Sequence, residues 1–276
     1  MNLAPRPIDS RNNLNRRIGD SQILFYLKTL SEGADLWIGA MMHLVQANCR
    51  VQFTAEDIEF ILSVLRHKVN DAECLVKLLA DEETRDLILD DESLLKAVLE
   101  HPTCLRISSH LYFYILVRHA FGRSGLKERP LADYVAAVLA EFSHQERTRC
   151  VVKGEPKDYF FEMLAALQTA DDTTSFYIRA HIGNQSLFLS GVFPDRIKFR
   201  AERKGFPSLG YYENVGSANF RAACDHRLAK KYDLDAIFLT LAERFQKTRM
   251  ALNDLRDRLI SVGEPNYSGL LVNPVD

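Results

Sequence analysis

Residues 173–205 read TTSFYIRAHIGNQSLFLSGVFPDRIKFRAERKG, and the fold class turns on whether the first two thirds of this stretch is a helix or a pair of strands. Gly183-Asn184 between SFYIRAHI and QSLFLSGV has the form of a two-residue hairpin turn flanked by strands. Against this, Asp171, Asp172, Thr173 and Thr174 supply helix caps, and Pro194 is suited to open a new helix after Phe193. The balance favours helix over 173–193. At helical spacing, Ala180, Gly183, Leu187 and Ser190 then form one mostly small stripe that admits a close neighbour, while Tyr177, His181, Asn184 and Phe188 form a second. The second stripe aims His181 and Asn184 at one place, with Arg179 and Gln185 to its sides.

A polar stripe in an apolar segment requires partners. It is satisfied either by neighbouring helices, which fixes how they meet, or by a polar or anionic ligand in a pocket. The pocket alternative groups Arg179, His181, Asn184, Asp195, Arg196, Tyr211 and Tyr212. His181 would be its proton-transfer group, Arg179 an anion clamp and Asn184 an orienting donor.

Outward from this segment, apolar residues recur at three- and four-residue intervals. In TAEDIEFILSVLRHKV, from Thr54, the threonine caps a helix whose apolar face is Ile58, Ile61, Leu62 and Leu65. Asp71, Asp81 and Asp91 each precede a short helical segment, and SSHLYFYILVRHAFG, from Ser108, is apolar nearly all round and reads as a central buried helix. VVKGEP, Val151 to Pro156, is a connector with room for a short strand. Leu234, Phe238, Leu241, Phe245, Leu252, Leu255 and Leu259 keep a near-heptad seam with Thr248 in the remaining position. They predict one helix from Asp233 to Ile260, about 40 Å long if straight. The expectation is an all-α, multi-helix globular bundle with a long C-terminal helix. Its parts are a flexible segment over 1–20, an N-terminal helical subdomain over 21–101, a main helical body over 102–262 and an extended tail over 263–276.

The chain has 276 residues, 47% hydrophobic and 26% charged, with a net charge of -2. This is the balance of a globular protein, and overall charge attracts neither nucleic acid nor an anionic bilayer. No apolar run approaches the roughly 20 residues of a membrane span, and the polar N-terminus lacks a signal-peptide pattern. A cytoplasmic protein is the expectation. Five cysteines without a C-x-x-C pair argue against a disulfide framework or a thiolate zinc site.

Phosphate loops, dinucleotide turns, zinc-protease pairs and nucleophile elbows are not found. Glu141 and His144 form a single E-x-x-H where a di-iron bundle uses two. His110 and His119 fall on opposite helix faces, whereas His110, Tyr114 and Arg118 share one and point to an internal network. Neither a metal nor a cofactor is expected.

Charge is divided along the chain. Asp81 to Glu100 holds eight acidic residues against two basic, and Arg196 to Lys231 nine basic against three acidic. Such runs are two solvated faces that attract each other within the fold or between subunits, or else the basic run binds phosphate groups, with Phe199, Phe206, Tyr211 and Tyr212 beside it. The leading functional expectation is a protein-interaction or regulatory module binding a protein partner or itself. The alternatives are a small-molecule-binding protein or enzyme at the Arg179/His181/Asn184 pocket, and nucleic-acid binding through 196–231.

Overall fold

A computed structural model describes residues 44–66, 79, 81–100, 107–149 and 159–263. Among them the chain is helical throughout, with twelve α-helices and no strand, as the periodicity predicts. After a 3-10 turn at Cys49–Gln52 come α1 (Ala55–Leu65), α2 (Glu82–Leu89), α3 (Glu92–Glu100), α4 (Ser109–Arg123), α5 (Arg129–Arg149) and α6 (Tyr159–Ala166). They are followed by α7 (Asp172–Val192), α8 (Pro194–Lys204), α9 (Leu209–Cys224), α10 (Arg227–Lys231), α11 (Asp235–Glu243) and α12 (Phe245–Gly263). The segments expected over 1–20, after Asp71, at 151–156 and over the tail fall outside the described residues, as does the His101-Pro102 boundary. One continuous apolar core nevertheless joins residues on both sides of that boundary, from Leu44 and Ile61 to Leu116, Phe238 and Leu255.

The stretch 173–193 is a helix. Asp171 caps α7, accepting from the Thr174 backbone N–H at 2.7 Å. Gly183-Asn184 lies in its middle, because tertiary burial on every side outweighs the local turn preference. At the other end Pro194 takes the first position of α8. The last carbonyls of α7 are met from α12, where the Asn253 amide donates to Ser190 O and Gly191 O.

The Asp171 carboxyl is held below its usual range, chiefly by the Thr174 backbone N–H and then by the Thr174 side chain. A folded-state pKa below the unfolded one contributes stability that is present above the unfolded value and lost as pH falls through the folded one. Asp171→Ala is therefore expected to lower the Tm at neutral pH, and the gap from the parent protein should close on acidification. Thermal unfolding at a series of pH values measures it; a gap independent of pH would refute the cap.

Helix α7 is the axis of the molecule, packed by α5, α9 and α12. Gly183 of the small stripe sets the approach of α9, and Gly191 beside the stripe that of α12. A Cβ added at Gly183 would lie 2.8 Å from the Phe220 ring of α9, and one at Gly191 would lie 2.8 Å from Leu252 of α12. On α9, Gly216 in turn faces Phe245 and Ser186.

The C-terminal seam is buried as expected, from Leu234 through Thr248 to Leu255, but the single 28-residue helix is not formed. Asp233 has a positive φ of 55° and holds the chain out of helix before α11. Arg244, at φ -119° and ψ 25°, separates α11 from α12. The break turns Phe245 onto Gly216 and beside Phe220, a demand of the neighbouring helix that the seam does not encode. The long C-terminal helix is the 19-residue α12.

The N-terminal helices are tied to the body through a buried carboxylate. Thr54 and Asp57 form the capping box of α1. Asp57 also accepts from the Ser108 backbone N–H at 2.7 Å and the Ser108 hydroxyl at 2.6 Å, so one side chain joins the start of α1 to the start of α4. Ser108 itself caps α4 through Leu111 N–H.

Candidate functional site

The polar stripe of α7 lies against α5. The Tyr134 hydroxyl donates to Asn184 Oδ1 at 2.8 Å, with both side chains buried. Burial pushes the Tyr134 hydroxyl up and the bond to Asn184 offsets this in part, so it stays a protonated donor. About two turns further along α5, Phe142 stacks on both His181 (centroids 5.7 Å apart) and Phe188 (4.8 Å). His181 and Asn184 thus both meet the facing helix α5.

The other candidate residues are distributed differently. Tyr211 and Tyr212 pack on Phe160 of α6, in a second apolar cluster with Met163, Ile178 and Ile182. Asp195 is exposed and pairs with Arg256 of α12 at 2.8 Å. Arg196 and Arg179 are half-buried. Arg179 is two positions from His181, a turn of about 200° around a helix, so the two leave α7 on nearly opposite sides.

A buried ionic network was not foreseen. The Arg50 backbone N–H and guanidinium both reach Asp133 Oδ1, at 3.0 and 3.3 Å. Arg50 also pairs with Asp86 at 2.6 Å. Asp86 meets Arg129 at 2.8 Å, and Arg129 shares Asp90 with Arg118. Two acids of the run Asp81–Glu100 are therefore neutralised within the fold, by α4, α5 and Arg50 rather than by the distant basic run. Burial raises the Asp133 carboxyl against the opposing pull of Arg50. Of the predicted His110/Tyr114/Arg118 network, Arg118 turns to Asp90. The Tyr114 hydroxyl is buried with no hydrogen-bond partner among the described residues and is pushed up to about 12, mainly by burial. The scattered positions of Arg50, Asp86 and Asp133 left no local signal beyond charge in otherwise helical segments.

The basic run 196–231 does not form one patch. Arg221 pairs with Glu243. His226 pairs with Asp172, and Arg227 donates to Thr173, which puts α10 beside the start of α7. Helix α8 follows the opposite end. The two sets of bases are separated by the 21 residues of α7, about 30 Å.

Among the described residues no group of three or more His, Cys, Asp or Glu side chains is arranged to hold a metal ion, and no helix is long and apolar enough to cross a membrane. The His144 side chain lies outside the described residues. Cys49 and Cys224 are buried free thiols. No protein-family model matches the chain, and no curated protein or solved structure is significantly similar to it.

Proposed function

We propose that the chain is a helical interaction module, without catalytic activity, that binds a protein partner or a second copy of itself. The observation that carries this reading is the Tyr134–Asn184 hydrogen bond, with His181 stacked beside it on Phe142. His181 and Asn184, the two polar groups at the centre of the pocket alternative, are used in packing α7 on α5, which supports the surface as the active feature. The small-molecule reading draws less support, since Arg179 and His181 diverge around α7 and Tyr211 and Tyr212 belong to another cluster. Nucleic-acid binding through 196–231 also draws less, because its bases are divided between the two ends of α7.

Native mass spectrometry of the purified protein tests the reading. The expected masses are whole multiples of the polypeptide. A retained adduct that is lost in Arg179→Ala or His181→Ala, with the fold intact by circular dichroism, would overturn it in favour of a ligand pocket.

A further inference from the structure

His226 lies at the turn between α9 and α10 with both ring nitrogens engaged. Nδ1 accepts from the Leu228 backbone N–H at 3.1 Å, which caps the start of α10. Nε2 lies 2.9 Å from the Asp172 carboxylate at the start of α7. A backbone N–H only donates, so the neutral ring carries its proton on Nε2 and donates it in a hydrogen bond to Asp172. The ring stacks on Phe176 of α7, with centroids 4.9 Å apart and planes 22° apart, which holds it in the orientation that serves both partners. The side chain is 12% exposed, so the two nitrogens depend on these protein partners. Further charges stand nearby. Asp171 caps α7, Arg227 donates to Thr173 of α7, and Asp225, Arg221 and Asp235 surround the neighbouring Cys224. The far end of α10 is tied to α7 separately, by the hydrogen bond between the Tyr177 and Tyr232 side chains.

We propose that His226 is a proton-operated clasp that releases the start of α10. Protonation places a hydrogen on Nδ1, which turns the acceptor of the Leu228 N–H into a donor. Two N–H groups then face each other, and the cap is lost. On the other side the charge strengthens the Nε2–H bond to Asp172, so the ring stays with α7. One proton thus exchanges the contact with α10 for a firmer contact with α7. The five-residue α10 is little more than a single turn, so the cap is a large share of what holds its start. The part set free carries Arg227, Lys230 and Lys231, all exposed, and the clasp therefore governs where these charges stand between α9 and α11. An asparagine or serine cap would hold α10 in either condition, whereas the histidine makes the hold conditional on its proton.

Amide hydrogen exchange followed by NMR on the full chain tests this, with the charge state of the ring read from its own nitrogen shifts. The neutral ring is expected to show an unprotonated Nδ1 and a protonated Nε2. On protonation the Leu228 amide should lose protection, relative to its intrinsic exchange rate at each pH, by roughly fivefold or more. The amides of α4 should keep theirs, which separates release of α10 from unfolding of the whole chain. In His226→Asn the side chain caps without titrating, so Leu228 protection should be the same across that pH range. A proton on Nδ1 of the neutral ring would overturn the proposal. So would Leu228 protection that is equal in the two ring states, or a ring that stays neutral until the whole chain unfolds. An equal acid-dependent loss in His226→Asn would also overturn it, and would assign the change to another group such as Asp172.

Discussion

Asp133→Ala is expected to destabilise the protein by about 3 kcal/mol, the usual cost of removing one partner from a buried ion pair. Asp133 is 2% exposed and accepts from both the backbone and the guanidinium of Arg50. Its loss leaves a buried N–H without a partner and Arg50 with Asp86 as its remaining acid. For a chain of this size the midpoint should fall by roughly 6–12 °C. The cost belongs to the broken pair and not to a large net gain from the intact one, since burial already raises the Asp133 carboxyl in the folded state. Asp133→Asn, which keeps an acceptor for the Arg50 N–H, should lose less. In Arg50→Met the guanidinium is gone, so adding Asp133→Ala there should cost at least about 1 kcal/mol less than in the parent. Denaturant unfolding of the four proteins gives the coupling; simple additivity would mean that the two residues do not act as a pair.

Gly216→Ala is expected to cost about 2 kcal/mol. An added Cβ would meet the Phe245 ring at 2.4 Å and Ser186 Cβ at 2.8 Å, both held by the packing of α12 and α7. Alanine's better helix propensity recovers only about 1 kcal/mol of the overlap. The contrast is Gly122→Ala near the end of α4, where nothing lies within 4 Å of the new atom. There the propensity gain stands alone, and stability should rise by about 0.5–1 kcal/mol. Opposite signs for the same substitution would locate the close contact of α9 with α7 and α12. Equal effects would remove it.

The candidate site shows where local reading stops. The stripe of His181 and Asn184 was legible because two side chains three residues apart on a helix share a face whatever surrounds them. Their partners, Tyr134 and Phe142, lie some forty to fifty residues away in sequence, and nothing local specifies that pairing. The same holds for Arg50 and Asp133, which read as ordinary charges until α5 lies beside the 3-10 turn. The basic run misled for a related reason: neighbours in sequence from Arg196 to Lys231 are sent by α9 to opposite ends of α7.

The sequence by itself determined the all-α class, the starts of α1, α2 and α7 through Thr54, Asp81 and Asp171, and the buried side of the C-terminal seam. Caps and periodicity are local, and their energies act within a turn or two of chain. Only the tertiary structure decided that Gly183-Asn184 would be mid-helix, that Arg244 would break the seam, and which buried polar groups would find each other. Those outcomes depend on which distant surfaces fill the space beside each helix, and burial and close packing there outweigh local preference.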